Sequence, residues 1–267
     1  MIPTWIRCEV GLPQSIAHLV TRSDISGVTD PVLASTLADL RTALATVERE
    51  FLHVGDERHV ERLALTTAIV TEALRRVDYR AVLVGGGAIE FYAPDAYLTR
   101  DVDLVVEGPP GVSVRGRISE VFDALGFVKL SGRHWERGGL LIEVPGHRID
   151  DPYREIPIGP YHLNVIRLEV VLAGRIVEFE QTGHTGHAAQ AVLLLRALRD
   201  TLDMPLLETI LRRERAEQAF VVLDDLATSS DAVTDSVLRD LHEKLHSRGR
   251  YAPGYLHEAG DPQEPIS

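Results

Sequence analysis

Ala81-Val82-Leu83-Val84 runs without interruption into three glycines, Gly85-Gly86-Gly87. A short apolar run, partly β-branched, reads as a buried strand, and consecutive glycines directly behind it read as a tight turn. Ala88-Ile89-Glu90-Phe91-Tyr92 then suits a short helix, stopped by Pro94. Glycine lets a backbone come close to a ligand, and the free N–H groups at a helix start attract phosphate. The chain therefore has to place a strand, a glycine turn and a helix back to back, which points to an α/β core.

Thirteen residues later (Ala88 to Arg100) comes Asp101-Val102-Asp103-Leu104-Val105-Val106, a second strand. Alternation along a strand puts Asp101 and Asp103 on one face and Val102 and Leu104 on the other. Two neighbouring carboxylates repel each other unless they share a cation, and hard oxygen ligands suit Mg²⁺. A third acid, Glu143, stands alone inside the apolar strand Leu140-Leu141-Ile142-Glu143-Val144. Phosphoryl transfer with metal ions needs such a cluster. Glu136 and the pair Asp150-Asp151 compete for the place of third acid. Glu107 shares the parity of Asp103, but Gly108-Pro109-Pro110 mark it as a strand end.

Around this middle section the apolar spacing is helical. Leu33, Leu37, Leu40, Leu44, Val47 and Phe51 predict a helix from Pro31 to Phe51, and a second is expected over about Glu57 to Val77. Ser119–Leu125 is expected to be helical. Strands are expected at 127–130, 134–136, 140–144 and 161–166. Helices return after Gly174, at 188–202, 206–226 and 231–246. The expected organisation is an N-terminal helical segment (1–77), a core (78–175), a C-terminal helical segment (176–247) and a loose tail (248–267).

Composition narrows the function classes. The formal net charge of −12 argues against coating nucleic acid by bulk electrostatics. Cys8 is the single cysteine, so neither an intramolecular disulfide nor a cysteine metal site can be built. No apolar stretch approaches the roughly 20 residues of a membrane span, and Met1–Arg7 lacks the layout of a secretory signal. A cytoplasmic protein with no membrane partner is the expectation. A dinucleotide fingerprint fails because Glu90 stands where a third glycine is wanted. His184 and His187 have a spacing metals can use but lack an evident third ligand. Arg212, Arg213 and Arg215 read as a charged helix face. Arg115 and Arg117 are the preferred basic contacts for an incoming phosphate.

The stretch Val84-Gly85-Gly86-Gly87, thirteen residues, then Asp101-Val102-Asp103-Leu104 resembles the signature of the DNA polymerase β-like nucleotidyltransferases. The setting Gly-Gly-x-Ala-Ile-Glu-Phe-Tyr, with Tyr97, Thr99 and Arg100 ahead of the acids, is similar to the small prokaryotic members, some tied to toxin–antitoxin systems. The likeness covers about residues 79–145. It implies an α/β (α+β) fold, a mixed-sheet nucleotidyltransferase core with flanking helical segments. It implies that Gly85, Gly86, Gly87, Thr99 and Arg100 bind the nucleotide, and that Asp101, Asp103 and Glu143 are catalytic and hold the metal, Mg²⁺ with Mn²⁺ as a substitute. The activity implied moves a nucleotide monophosphate from a nucleoside triphosphate such as ATP to an RNA (tRNA included) or protein acceptor, with a toxin or antitoxin as partner. Many members carry serine as the second residue of the glycine pair, and this chain carries glycine. A non-catalytic antitoxin or regulatory binding module is the alternative.

Overall fold

The computed structural model describes residues 31–51, 58–94, 99, 101–111 and 114–247. The expected tail and the first thirty residues, Cys8 among them, lie outside the described residues. The chain divides into two compact units, Met1–Arg167 and Leu168–Ser267.

The first unit is built on a seven-stranded mixed sheet. Its strands are β1 (Arg80–Val84), β2 (Asp101–Glu107), β3 (Val128–Lys129), β4 (His134–Arg137), β5 (Leu140–Glu143), β6 (Tyr153–Ile158) and β7 (Tyr161–Ile166), in the order β3-β4-β5-β2-β1-β7-β6. β1 runs antiparallel to β2 and parallel to β7, and β2 runs parallel to β5. The outer strands are added as antiparallel hairpins, β4–β5 with β3 beside β4, and β6–β7. The fold class is thus mixed α/β, as the pattern of strands and helices implies.

Register fixes which side chains share a face. Leu83 lies opposite Leu104 and beside Val165, and Ile142 lies opposite Trp135. All five are 0–2% exposed, so this face is the core. Two helices of the unit pack there. α3 (His59–Arg75) is buried on nearly every side from Leu63 to Leu74 and lies against β1 and β7. The three threonines in this stretch, Thr66, Thr67 and Thr71, are buried with the apolar residues, and the helix belongs to the interior. α5 (Val114–Leu125) buries Ile118, Val121, Phe122 and Leu125, a single helical stripe. Its Phe122 stacks on Trp135 with centroids 4.8 Å apart and planes at 15°. Such a pair contributes about 0.5–1.5 kcal/mol beyond the area it buries. Trp135 is therefore a packing residue. The expected helix over 31–51 forms as α1 (Pro31–Thr36) and α2 (Ala38–Phe51), with Leu37 fully buried at the joint.

Some elements of this unit differ from expectation. The helix expected at Ala88–Tyr92 starts at Gly85 and takes in all three glycines of the expected turn. β6 was not foreseen: Tyr-Arg-Glu-Ile-Pro-Ile carries charge and a proline, and becomes a strand because it pairs along its length with β7. Pro157 is tolerated there because β6 is the sheet's edge. α5 starts at Val114, five residues ahead of the expected Ser119.

The second unit is helical: α6 (Leu168–Thr182), α7 (Thr185–Leu198), α8 (Met204–Arg213), α9 (Glu217–Thr228) and α10 (Asp235–Ser247). α6 runs straight through Gly174, where a Cβ would meet nothing within 4 Å. Helix here costs only the ~1 kcal/mol of glycine's propensity, and Leu168, Leu172, Ile176 and Phe179 repay it by burial. The expected helix 206–226 is split. Arg215 takes φ 58°, a left-handed conformation that ends α8 before α9 begins. Asp203 caps α8, accepting the Leu206 N–H at 3.2 Å. Among the described residues no helix is long and apolar enough to cross a membrane.

Candidate metal centre

Asp101, Asp103 and Glu143 come together at one end of the first unit's sheet. Along β2 the residues Asp101, Asp103, Val105 and Glu107 are half-buried while Val102, Leu104 and Val106 are fully buried, the alternation the sequence implied. β5 lies parallel beside β2 with Glu143 directly opposite Asp103. Each of the three acids offers a carboxylate oxygen within 4.8 Å of those of the other two. Oxygens sharing one Mg²⁺ at ~2.1 Å lie at most about 4.2 Å apart, so a small rotation of a carboxylate closes the set. The donors are all hard oxygens and all half-buried, which fits a divalent cation of this kind. Among the described residues no other His, Cys, Asp or Glu group of three comes this close.

The glycine turn is packed onto this cluster. Val84 at the end of β1 lies opposite Asp103, and the next residue, Gly85, has φ +61°. A Cβ on Gly85 would sit 2.9 Å from Asp103 Cγ and closer still to Oδ2. The turn is thus shaped around the carboxylate. Gly86 and Gly87 are buried in the first turn of α4 (Gly85–Tyr92), where Val84 supplies no side-chain cap. Its N–H groups are left for other acceptors.

Asp101 is held from behind. The Thr99 hydroxyl donates to Asp101 Oδ1 at 2.7 Å, and the Thr99 N–H donates to Glu90 Oε2 at 2.9 Å. Glu90 is 1% exposed, with His59 Nε2 3.7 Å from its other oxygen. Burial pushes the Glu90 carboxyl above its ordinary range, and the Thr99 N–H and His59 oppose that shift. An acid whose folded pKa is raised costs stability as pH climbs through the folded value. In Glu90→Gln the side-chain oxygen still accepts from Thr99 and no charge is buried. Urea unfolding midpoints measured from pH 4.5 to 8 should therefore fall less steeply with rising pH in the variant; parallel profiles would contradict this reading of Glu90.

Glu143 has two partners that sequence inspection passed over. Arg133 Nε stands 2.8 Å from Oε1 and His134 Nε2 stands 3.2 Å from Oε2. His134 Nδ1 lies 2.6 Å from the Ser131 hydroxyl. His134 faces Glu143 across the β4–β5 hairpin, whose turn is Gly138-Gly139, both with positive φ. Counting back from that glycine pair would have located His134.

The remaining candidates are dispersed. Glu136 accepts the Gly139 N–H at 2.6 Å and belongs to the hairpin turn. Asp150 is exposed and pairs with Arg148 at 2.6 Å. Glu107 faces Arg80 at the opposite end of β2. Arg115 and Arg117 stand in the first turn of α5, beyond the Glu107 end of β2, and Arg117 pairs with Glu120 at 2.7 Å. Arg100 and Tyr97 lie outside the described residues. The His184 and His187 rings lie 4.6 Å apart, tilted by 47°, at the start of α7. Burial and the neighbouring Arg175 and His184 hold the His187 imidazole below its ordinary range.

No family model matches the chain, and no curated protein is significantly similar to it in sequence. Among solved structures it is similar to an antigenic nucleotidyltransferase-like protein from Paracoccidioides brasiliensis, at 14% identity and a TM-score of 0.43, over 60% of this chain and 91% of that one. A likeness that distant assigns no role to any residue.

Proposed function

We propose that the chain is a divalent-metal-dependent nucleotidyltransferase, which moves a nucleotide monophosphate from a nucleoside triphosphate to a hydroxyl of RNA (tRNA included) or of a protein. The observation that carries the reading is the close packing of the Gly85 turn against Asp103, with Asp101 and Glu143 offering oxygens within 4.8 Å. A bound Mg²⁺, or Mn²⁺ in its place, would neutralise triphosphate charge at these carboxylates. Asp101 and Asp103 would hold it, with Thr99 and Glu90 fixing the Asp101 rotamer. The N–H groups of Gly86 and Gly87 would receive phosphate oxygens, and Arg100 would add charge. Glu143 would orient the acceptor hydroxyl or take its proton. The new bond joins the acceptor oxygen to the α-phosphorus, and pyrophosphate leaves. A cytoplasmic setting and a toxin or antitoxin partner accompany this reading. Four α-labelled nucleoside triphosphates, offered with Mg²⁺ or Mn²⁺ and with cellular RNA and protein, test it. Label should enter one acceptor class with wild type and neither with Asp103→Asn; equal labelling by both would refute the assignment.

One observation favours a second reading. Arg133 neutralises Glu143 without a metal, and His134 stands 3.2 Å from its other oxygen, as suits a non-catalytic nucleotidyltransferase-like module serving as antitoxin or regulator. Such a module would show no Mg²⁺-dependent nucleotide affinity.

A further inference from the structure

The β3–β4 hairpin brings a hydroxyl to the edge of the carboxylate cluster. Asp103, Glu143 and His134 are register partners across β2, β5 and β4, so their side chains share one face of the sheet. Ser131-Gly132-Arg133 joins β3 to β4, and all three residues are exposed. The backbone pins this turn: the Leu130 and Ser131 N–H groups both donate to the His134 carbonyl, at 3.0 and 3.4 Å.

Ser131, His134 and Glu143 form a line of two hydrogen bonds. Ser131 Oγ lies 2.6 Å from His134 Nδ1, and His134 Nε2 lies 3.2 Å from Glu143 Oε2. The roles follow from the end of the line. Glu143, whose other oxygen faces Arg133 at 2.8 Å, is a carboxylate and only accepts. The neutral imidazole therefore carries its proton on Nε2, and the Nδ1 lone pair receives the Ser131 O–H. A hydroxyl that donates to an imidazole, itself oriented by a third group, is the arrangement that makes a hydroxyl nucleophilic. Both distances are within reach of proton transfer. The exposed turn leaves Ser131 open to an incoming phosphate, and the side chain of Arg133, 61% exposed, sets a positive charge near it. Glu143 belongs to this line and to the acid cluster, so the hydroxyl stands two hydrogen bonds from the carboxylates.

We propose that Ser131 is an acceptor of the transferred nucleotide, with His134 as its general base and Glu143 orienting the imidazole, so that the chain nucleotidylates itself. The proposal rests on the transfer activity assigned to the carboxylates. Ser131 Oγ bonds to the α-phosphorus, the bond from that phosphorus to the bridging oxygen breaks, and pyrophosphate leaves. The hydroxyl proton passes to His134 Nδ1, and the product is a serine phosphodiester.

Two measurements on the full chain test it. In the first, the protein in EDTA is treated with diisopropyl fluorophosphate, which needs the nucleophile but neither metal nor nucleotide, and its peptides are read by mass spectrometry. Ser131 should take the diisopropylphosphoryl group, and His134→Gln should slow this at least about 100-fold. In the second, the four nucleoside triphosphates are supplied with Mg²⁺ and with cellular RNA and protein. The peptide holding Ser131 should gain one nucleotide monophosphate, and the same peptide of Ser131→Ala, a change at an exposed turn, should gain none. Transfer to an external acceptor with Ser131 unmodified would overturn the self-acceptor role alone. No transfer to any acceptor would overturn it together with the activity it rests on. Ser131 inert to the fluorophosphate, or labelled equally fast in wild type and His134→Gln, would overturn the activated hydroxyl.

Discussion

Asp103→Asn is expected to reduce nucleotide transfer at least about 100-fold while leaving the fold intact, a loss of the size seen when one preorganised charge contact at a reacting centre is removed. Asp103 is the central member of the acid set, flanked by Asp101 along β2 and by Glu143 across on β5. Asparagine has the same shape, and the backbone pairing of residue 103 with Val84 does not involve the side chain. What is lost is one negative charge beside two other carboxylates. The thermal midpoint of the variant is measured beside its activity, so that a loss of transfer with the fold retained separates a functional carboxylate from a structural one. A variant that loses activity only because it unfolds would contradict the account.

Gly85→Ala is expected to damage both properties. A left-handed φ of +61° costs an L-residue roughly 1–2 kcal/mol. The added methyl also meets Asp103 Cγ at 2.9 Å, so the carboxylate has to swing out of the cluster. Losing the support of a metal ligand typically costs about 10–100-fold in metal affinity or activity. Chemical denaturation should show a loss of about 1–3 kcal/mol, and transfer should fall by at least an order of magnitude. Gly86→Ala has no positive φ to contend with and serves as the comparison. Equal behaviour of the two variants would remove the special place given to Gly85.

The legible part of this chain was the part governed by local rules. Strand alternation placed Asp101 and Asp103 on one face because a strand's period is two wherever it lies in a sheet. The glycine run marked the turn because few other residues tolerate the positive φ of Gly85, although Gly86 and Gly87 already belong to α4. Glu143 could be nominated but not positioned: its place opposite Asp103 depends on β5 lying parallel beside β2, a pairing between segments 40 residues apart in sequence. The same non-local pairing hid β6, whose sequence is polar and interrupted by Pro157 and which is a strand only because β7 is next to it. Glu90 and Thr99 show a third limit. One looked like a helix residue and the other like a nucleotide contact, and their joint hold on Asp101 emerges only when α4 and β2 are side by side. In the second unit, Gly174 suggested a break that burial on both sides of it overrode, whereas Arg215 broke a helix where the apolar spacing continued.

The central claim is that Asp101, Asp103 and Glu143 form one divalent-cation site. Mn²⁺ binding followed by electron paramagnetic resonance tests it most directly, in wild type, Asp101→Asn, Asp103→Asn and Glu143→Gln, each with and without a nucleoside triphosphate. The account predicts saturable Mn²⁺ binding by wild type, tightened by the triphosphate, and at least tenfold weaker binding in Asp101→Asn and Asp103→Asn. Wild type that binds no Mn²⁺, or carboxylate variants that bind it as wild type does, would contradict it.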